Sequence, residues 1–211
     1  LKDYGFVAVC MGKGITNILK DLGVDRVIEG GQTMNPSTDD ILKAVKRVKA
    51  KTVYVFPNNK NIIMAANQAA ELVEDKKIVV IPSKSVPQCI SAMVEFNDKK
   101  SAEANEKAMN KAIGRVTSGQ LTYAVRDTEI DGIEIKKDDI LGMVEGKIVT
   151  VGKDIDDVLN RVVSQMVDED TEFLNVYYGK EIKKPQADVM LKALETKYAD
   201  DEIEVSFKKG G

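Results

Sequence analysis

Gly30-Gly31-Gln32-Thr33-Met34-Asn35-Pro36-Ser37-Thr38-Asp39-Asp40-Ile41 is the stretch on which the fold turns. Two adjacent glycines admit backbone conformations closed to other residues, and Pro36 fixes one dihedral. Ser37 followed three residues later by Asp40 is a Ser-x-x-acid helix start. The run is thus an irregular polar loop between a brief strand, Arg26 to Ile28, and a helix from Thr38 to Lys49. Free N–H groups at such a helix start suit an anion or a partner's carbonyl groups. The same residues also read as a well-capped crossover and nothing more.

Outward from this loop, the first half of the chain alternates strand and helix. Tyr4 to Cys10 is an apolar run ending at Met11-Gly12-Lys13-Gly14, and Ile15 to Leu22 has helical spacing closed by Gly23. Thr52 to Phe56 is a β-branched and aromatic strand that leads into Pro57-Asn58-Asn59-Lys60-Asn61. The alanine-rich helix Ile62 to Val73 is apolar nearly all round, which predicts close packing on more than one side. Lys77 to Ile81 is a further strand, ending in Pro82-Ser83-Lys84-Ser85 before a helix to about Phe96. Alternation with short connections argues for a parallel sheet with right-handed crossovers.

The second half changes character. A helix from Ser101 to about Val116 places Ala104, Ala108, Met109, Ala112 and Ile113 inward. Strands follow at Gln120–Val125, Gly132–Ile135, Ile140–Val144 and Lys147–Val151, the last pair joined by a Glu145-Gly146 hairpin turn. A helix from Ile155 begun by Asp154, a strand Glu172–Tyr178, a helix behind Pro185 and a strand Glu202–Phe207 complete the pattern. The expected fold class is therefore α/β. A parallel α/β subdomain with polar crevice loops spans residues 1–97, and a mixed, strand-rich α+β subdomain spans 98–211, divided at the charged turn Asn97-Asp98-Lys99-Lys100.

Composition removes several kinds of chemistry. The 211 residues contain no histidine, so an imidazole base, a Ser-His or Cys-His nucleophile pair and a His-ligated zinc are all excluded. A net charge of −3 with dispersed Lys and Arg gives no nucleic-acid footprint. No apolar run approaches the ~20 residues of a transmembrane segment. Cys10 and Cys89 lack a metal-site spacing and read as buried free thiols of a cytoplasmic protein. The carboxylates Asp127, Glu129, Asp131, Asp138 and Asp139 lack a calcium-loop spacing, and no P-loop or compact acidic motif for magnesium and ATP is present. Leu1 and the closing Gly210-Gly211 read as the ends of a piece of a longer protein.

In a parallel α/β sheet the loops at the carboxyl ends of the strands gather along one edge and form the usual ligand crevice. Four loops are expected there, at Gly12-Lys13-Gly14, Gly31 to Ser37, Asn58 to Asn61 and Ser83 to Ser85. Gly12-x-Gly14 lacks the wider dinucleotide pattern and reads more simply as a tight strand-to-helix turn. Asparagines at 58 and 59 suit an oxyanion or ordinary turn geometry. Ser83 and Ser85 suit a phosphate or a helix cap. The nominated ligand- or partner-binding residues are Gly31, Gln32, Thr33, Asn35, Ser37, Asn58, Asn59, Lys60, Ser83 and Ser85, with no catalytic residue and no metal ligand.

Gly30 to Ser37, Phe56-Pro57-Asn58-Asn59-Lys60-Asn61-Ile62 and Ile81-Pro82-Ser83-Lys84-Ser85-Val86-Pro87-Gln88 together resemble the C-terminal region of the bacterial fatty acid kinase catalytic subunit, within the dihydroxyacetone-kinase-like family. The resemblance implies a DegV-like and dihydroxyacetone-kinase-like architecture. It also implies a separate N-terminal kinase domain that uses ATP and magnesium, and a DegV-like fatty-acid-binding protein as partner. Together these would make acyl phosphate from a fatty acid, and the present region would dock the carrier without being catalytic alone. Two departures stand beside it: the acidic ATP-magnesium motif has no counterpart here, and the histidine that holds dihydroxyacetone covalently is absent. The alternatives are a fatty-acid- or phosphate-binding domain, and a structural or dimerisation domain of a dihydroxyacetone-kinase-like protein, for which a homodimer is a candidate assembly.

Overall fold

The computed structural model describes residues 1–31 and 34–211. The chain folds as two units. The first holds Leu1–Val116, Gly179–Glu181 and Lys209–Gly211; the second holds Thr117–Tyr178 and Ile182–Lys208.

The first unit is built on four strands, β1 (Lys2–Cys10), β2 (Arg26–Glu29), β3 (Ala50–Phe56) and β4 (Lys77–Val80). They lie in the order β2-β1-β3-β4 and every pairing is parallel, with Val9 opposite Ile28, Val7 opposite Val55 and Val53 opposite Ile78. Alternation along β1 and β3 sends side chains to opposite faces, and both faces are covered. Val7, Val9, Val53 and Val55 are buried with Ile41, Val45, Ala66 and Ala69, which come from α2 (Thr38–Arg47) and α3 (Ile63–Glu71). The alternate residues Tyr4, Phe6 and Tyr54 meet Phe96 in an aromatic cluster, with Phe6 stacked on Tyr54 at 5.5 Å and edge-on to Phe96 at 4.8 Å.

Three sequence expectations change here. The division between units falls after Val116 rather than at 97/98, because α5 (Ala102–Gly114) is tied to α4 (Val86–Glu95) and β3. Gln88 donates to the Ile113 carbonyl, the Tyr54 hydroxyl donates to that of Ala102, and buried Asn105 bonds the Asn97 backbone through both its oxygen and its amide. On α5 itself the buried residues are Asn105, Met109, Ala112 and Ile113, whereas Ala104 is exposed. The alanine-rich α3 buries one face only. Ala66 and Ala69 are covered while Met64 is 71% and Leu72 60% exposed.

In the second unit β5 (Gly119–Tyr123), β8 (Ile140–Val144) and β9 (Lys147–Gly152) form an antiparallel sheet in the order β5-β8-β9. Glu145 and Gly146 join β8 to β9 with φ of 52° and 79°, the two left-handed residues that a type I′ hairpin requires. Gly142 lets α6 (Ile155–Met166) approach, since a Cβ there would press on Val158 and Val162. The hairpin of β6 (Thr128–Ile130) and β7 (Ile133–Ile135) and the two-stranded sheet of β10 (Phe173–Tyr178) and β11 (Glu204–Lys209) complete it. Leu159, Val163, Leu174, Met190, Leu194, Tyr198 and Val205 form its larger core, in which Met190 and Leu194 come from α7 (Lys184–Lys197).

Candidate functional site

Because β1 to β4 are all parallel, their carboxyl ends lie on one edge of the sheet, and the four polar loops follow those ends. Strand order reverses between β1 and β3. That switch point, flanked by Gly12–Gly14 and Pro57–Lys60, is where a doubly wound sheet opens its crevice.

The chain fills much of that opening itself. The last ladder pair between β1 and β3 is Ala8 with Phe56, and beyond it the Asn58 side-chain amide donates to the Val9 carbonyl at 2.9 Å. Asn58 adopts φ 57°, a left-handed conformation that asparagine accepts more readily than most residues. Its carbonyl oxygen accepts from the fully buried Ser83 hydroxyl at 2.6 Å, and its backbone N–H donates to the same hydroxyl at 3.2 Å. This knot carries the connection between β3 and the β4 loop. Both residues are thus occupied by internal bonds.

On the other side of the switch point, α1 (Lys13–Asp21) begins beneath the segment Lys209–Gly211. The Ile15 N–H donates to the Gly210 carbonyl at 2.9 Å. A Cβ on Gly12 would collide with the Gly210 carbonyl oxygen, and one on Gly14 with that of Lys209. The glycine spacing of this loop therefore serves backbone-to-backbone packing with a segment far away in sequence. One free N–H of the α1 start is answered by protein, not left for a ligand.

The remaining nominated residues separate into structural and exposed groups. Ser37 and Asp40 form the reciprocal capping box of α2, with Asp40 N–H to Ser37 Oγ at 3.1 Å and Ser37 N–H to Asp40 Oδ2 at 2.9 Å. Those bonds hold the Asp40 carboxyl below its ordinary range. Ser85 caps α4 by accepting from Gln88 N–H, and Asn59 accepts from Asn61 N–H in a local turn. Gly31, at φ 127°, exchanges two backbone hydrogen bonds with Met34. Asn35 and Lys60 are exposed and make no side-chain bond among the described residues. Gln32 and Thr33 lie outside the described residues.

Beneath the loops lie the two free thiols, both buried. Burial pushes Cys89 up to about 12 against the opposing influence of Asn58, and burial likewise raises Cys10. Neither is a poised nucleophile. Open hollows of about 540 Å³ beside Val94–Asn97 and about 510 Å³ beside the β6–β7 hairpin lie away from the nominated residues. Among the described residues no group of three carboxylate, thiol or imidazole side chains converges to hold a metal. Of the acidic run in the second unit, Asp139 is structural: it is buried, accepts from Lys136 N–H and pairs with Lys153 at 2.9 Å. No helix among the described residues is long and apolar enough to cross a membrane.

Sequence reasoning passed over the exposed methionines of this edge. Met11 follows β1, Met34 lies in the β2 loop and Met64 opens α3, at 46%, 59% and 71% exposure. Met64 sits between Ile62-Ile63 and Ala65-Ala66 and so reads as core, whereas Met11 and Met34 stand in loops read for their polar neighbours.

Comparison with known proteins matches residues 5–211 to the FakA-like family, described as the C-terminal region of a fatty acid kinase subunit. Protein YloV of Bacillus subtilis is 48% identical over 202 residues, covering 96% of this chain and 36% of that protein. An uncharacterized protein of Staphylococcus aureus strain USA300 is 45% identical over 199 residues, covering 94% of this chain and 36% of its own length. The chain thus spans about a third of the curated relatives it matches.

Proposed function

The chain belongs to the FakA-like C-terminal family of fatty acid kinase subunits, and from that premise we propose that it docks the DegV-like fatty-acid-binding protein whose lipid the full-length kinase phosphorylates. The supporting observation is the loop edge of the first unit. Four loops follow the carboxyl ends of parallel strands, and Asn35 and Lys60 stand exposed there without partners among the described residues. A surface that spends Asn58, Ser83, Ser37 and Ser85 on its own rigidity is preorganised for a macromolecular contact. It offers little to a small anion.

Phosphoryl transfer belongs, in this reading, to a nucleotide-binding domain elsewhere in the polypeptide, in the cytoplasm. ATP and magnesium are assigned to that domain in this reading, and no step runs through them here. The present chain holds the carrier while the acyl carboxylate meets the kinase domain. Calorimetric titration of the purified carrier into this chain tests the proposal. Saturable heat at micromolar concentrations is expected. Absence of heat at high micromolar concentrations, with both proteins folded, overturns it. In the full-length kinase, joint replacement of Asn59 and Lys60 by alanine should lower activity through weaker carrier binding; unchanged activity would favour a structural or dimerising domain.

A further inference from the structure

We infer that the loop edge presents exposed methionines among lysines without ion-pair partners, and so fits a carrier surface that combines acidic side chains with apolar contacts. The inference rests on the docking reading and names the chemistry of the partner's face.

Among the described residues, the exposed large apolar side chains of the first unit are Leu1, Met11, Met34, Met64, Leu72 and Val94. Three of the six lie on the loop edge and all three are methionine. Met11 and Met34 flank the same glycine, since Met34 is bonded to the Gly31 backbone and a Cβ on Gly31 would touch Met11 at 3.9 Å. Methionine is unbranched and polarisable, which suits an adaptable contact surface better than a packed interior.

The charges along the same edge are uneven. Lys13, Lys60 and Lys84 stand in the loops after β1, β3 and β4, all exposed and none in an ion pair among the described residues. The amino ends of α1, α3 and α4 lie beside them and their dipoles add positive potential, with Gly210 and Ser85 answering one N–H each on α1 and α4. Among the described residues of the four strand-to-helix connections the carboxylates stand at the β2 end, where Asp39 is paired with Lys43 and Asp40 is held in the capping box, leaving Glu29. A chain with net charge −3 has thus kept three uncompensated lysines on one edge. Complementarity calls for a negative partner there. Three lysines fall short of the roughly four to eight that mark an anionic-membrane site, and the overall charge opposes one. An acidic protein surface is the better fit.

Association kinetics with the purified DegV-like carrier, at about 0.05 M and about 0.5 M salt, test this. Reversal of Lys13, Lys60 and Lys84 to glutamate should slow association about tenfold at low salt and flatten the salt dependence. The matched reversal K107E/K147E/K192E, with the same change in net charge, should not. M11S/M34S/M64S should speed dissociation about tenfold and leave association unchanged. Near-ultraviolet circular dichroism of the tyrosine cluster confirms folding of each variant. Wild-type binding that ignores both edge variants overturns this inference while leaving the docking reading standing. Failure of the wild type to bind the carrier removes the docking reading itself. Lysine-dependent binding to phosphatidylglycerol vesicles without carrier binding would replace the protein partner with a membrane and overturn the inference.

Discussion

Asn58→Ala is the most informative single change in the first unit. It removes the amide that caps the Val9 carbonyl at 2.9 Å and the oxygen that receives the buried Ser83 hydroxyl at 2.6 Å. Two part-buried groups lose a partner together, and each such loss costs about 1–3 kcal/mol. Alanine must also hold φ near 57°, which costs a further ~1 kcal/mol or more. The sum is about 3–7 kcal/mol, a large share of the ~5–15 kcal/mol that holds a typical domain. Asn58→Gly loses the same bonds but accepts the backbone conformation, so it should be about 1 kcal/mol less destabilised than the alanine variant. Urea-dependent hydrogen exchange at the amides of β1 and β3 reads the first unit selectively, because those strands form the centre of its sheet. An alanine variant within about 0.5 kcal/mol of wild type, or a glycine variant less stable than the alanine one, would refute the assignment of Asn58 as the staple between β1 and the β4 loop.

Three other outcomes are expected. Gly14→Ala should push the Lys209 carbonyl away and break the Ile15–Gly210 bond, seen as faster hydrogen exchange at Ile15 and quicker proteolysis near Lys208; unaltered exchange would disprove the clasp. Burial raises both thiols, so the folded state favours the neutral form. The stability this contributes is complete below the ordinary thiol range and declines as pH rises through the raised folded values, about 12 for Cys89. At pH 8 a thiol reagent should therefore label neither cysteine in native protein and both in urea; rapid native labelling of Cys89 would contradict its environment. The Asp139 carboxyl is held below its usual range first by the Lys136 N–H and then by Lys153. Its contribution is present at neutral pH and is lost as pH falls below the ordinary carboxylate range through the folded value. Asp139→Asn should therefore lower melting temperature at neutral pH and do so progressively less as the medium is acidified. An equal deficit at every pH would show that packing, not charge, is what Asp139 supplies.

The first unit was largely legible from its sequence because its signals are local. Apolar runs announced β1 and β3 and Ser37 with Asp40 announced α2, while in the second unit Glu145-Gly146 announced the turn between β8 and β9. The strand β6 escaped because Thr128, Glu129 and Ile130 are all exposed, so no buried alternation marks them. The true role of Gly12 and Gly14 left no trace nearby, since the atoms that exclude a Cβ belong to Lys209 and Gly210. The same limit governs the candidate site. A polar loop composition cannot distinguish Lys60, which is exposed, from Ser83, which is buried and bonded to Asn58. Only the strand order places those two loops side by side.

The bond from Ile15 to Gly210 has a consequence for how the molecule is made. Within this stretch β1 and α1 leave the ribosome well before Lys209 to Gly211, so that sheet must wait with its α1 start uncovered until the later segment has emerged. Closing a loop that long is entropically cheap per added residue but slow to find. The later-made segment then settles over a surface that was already waiting for it.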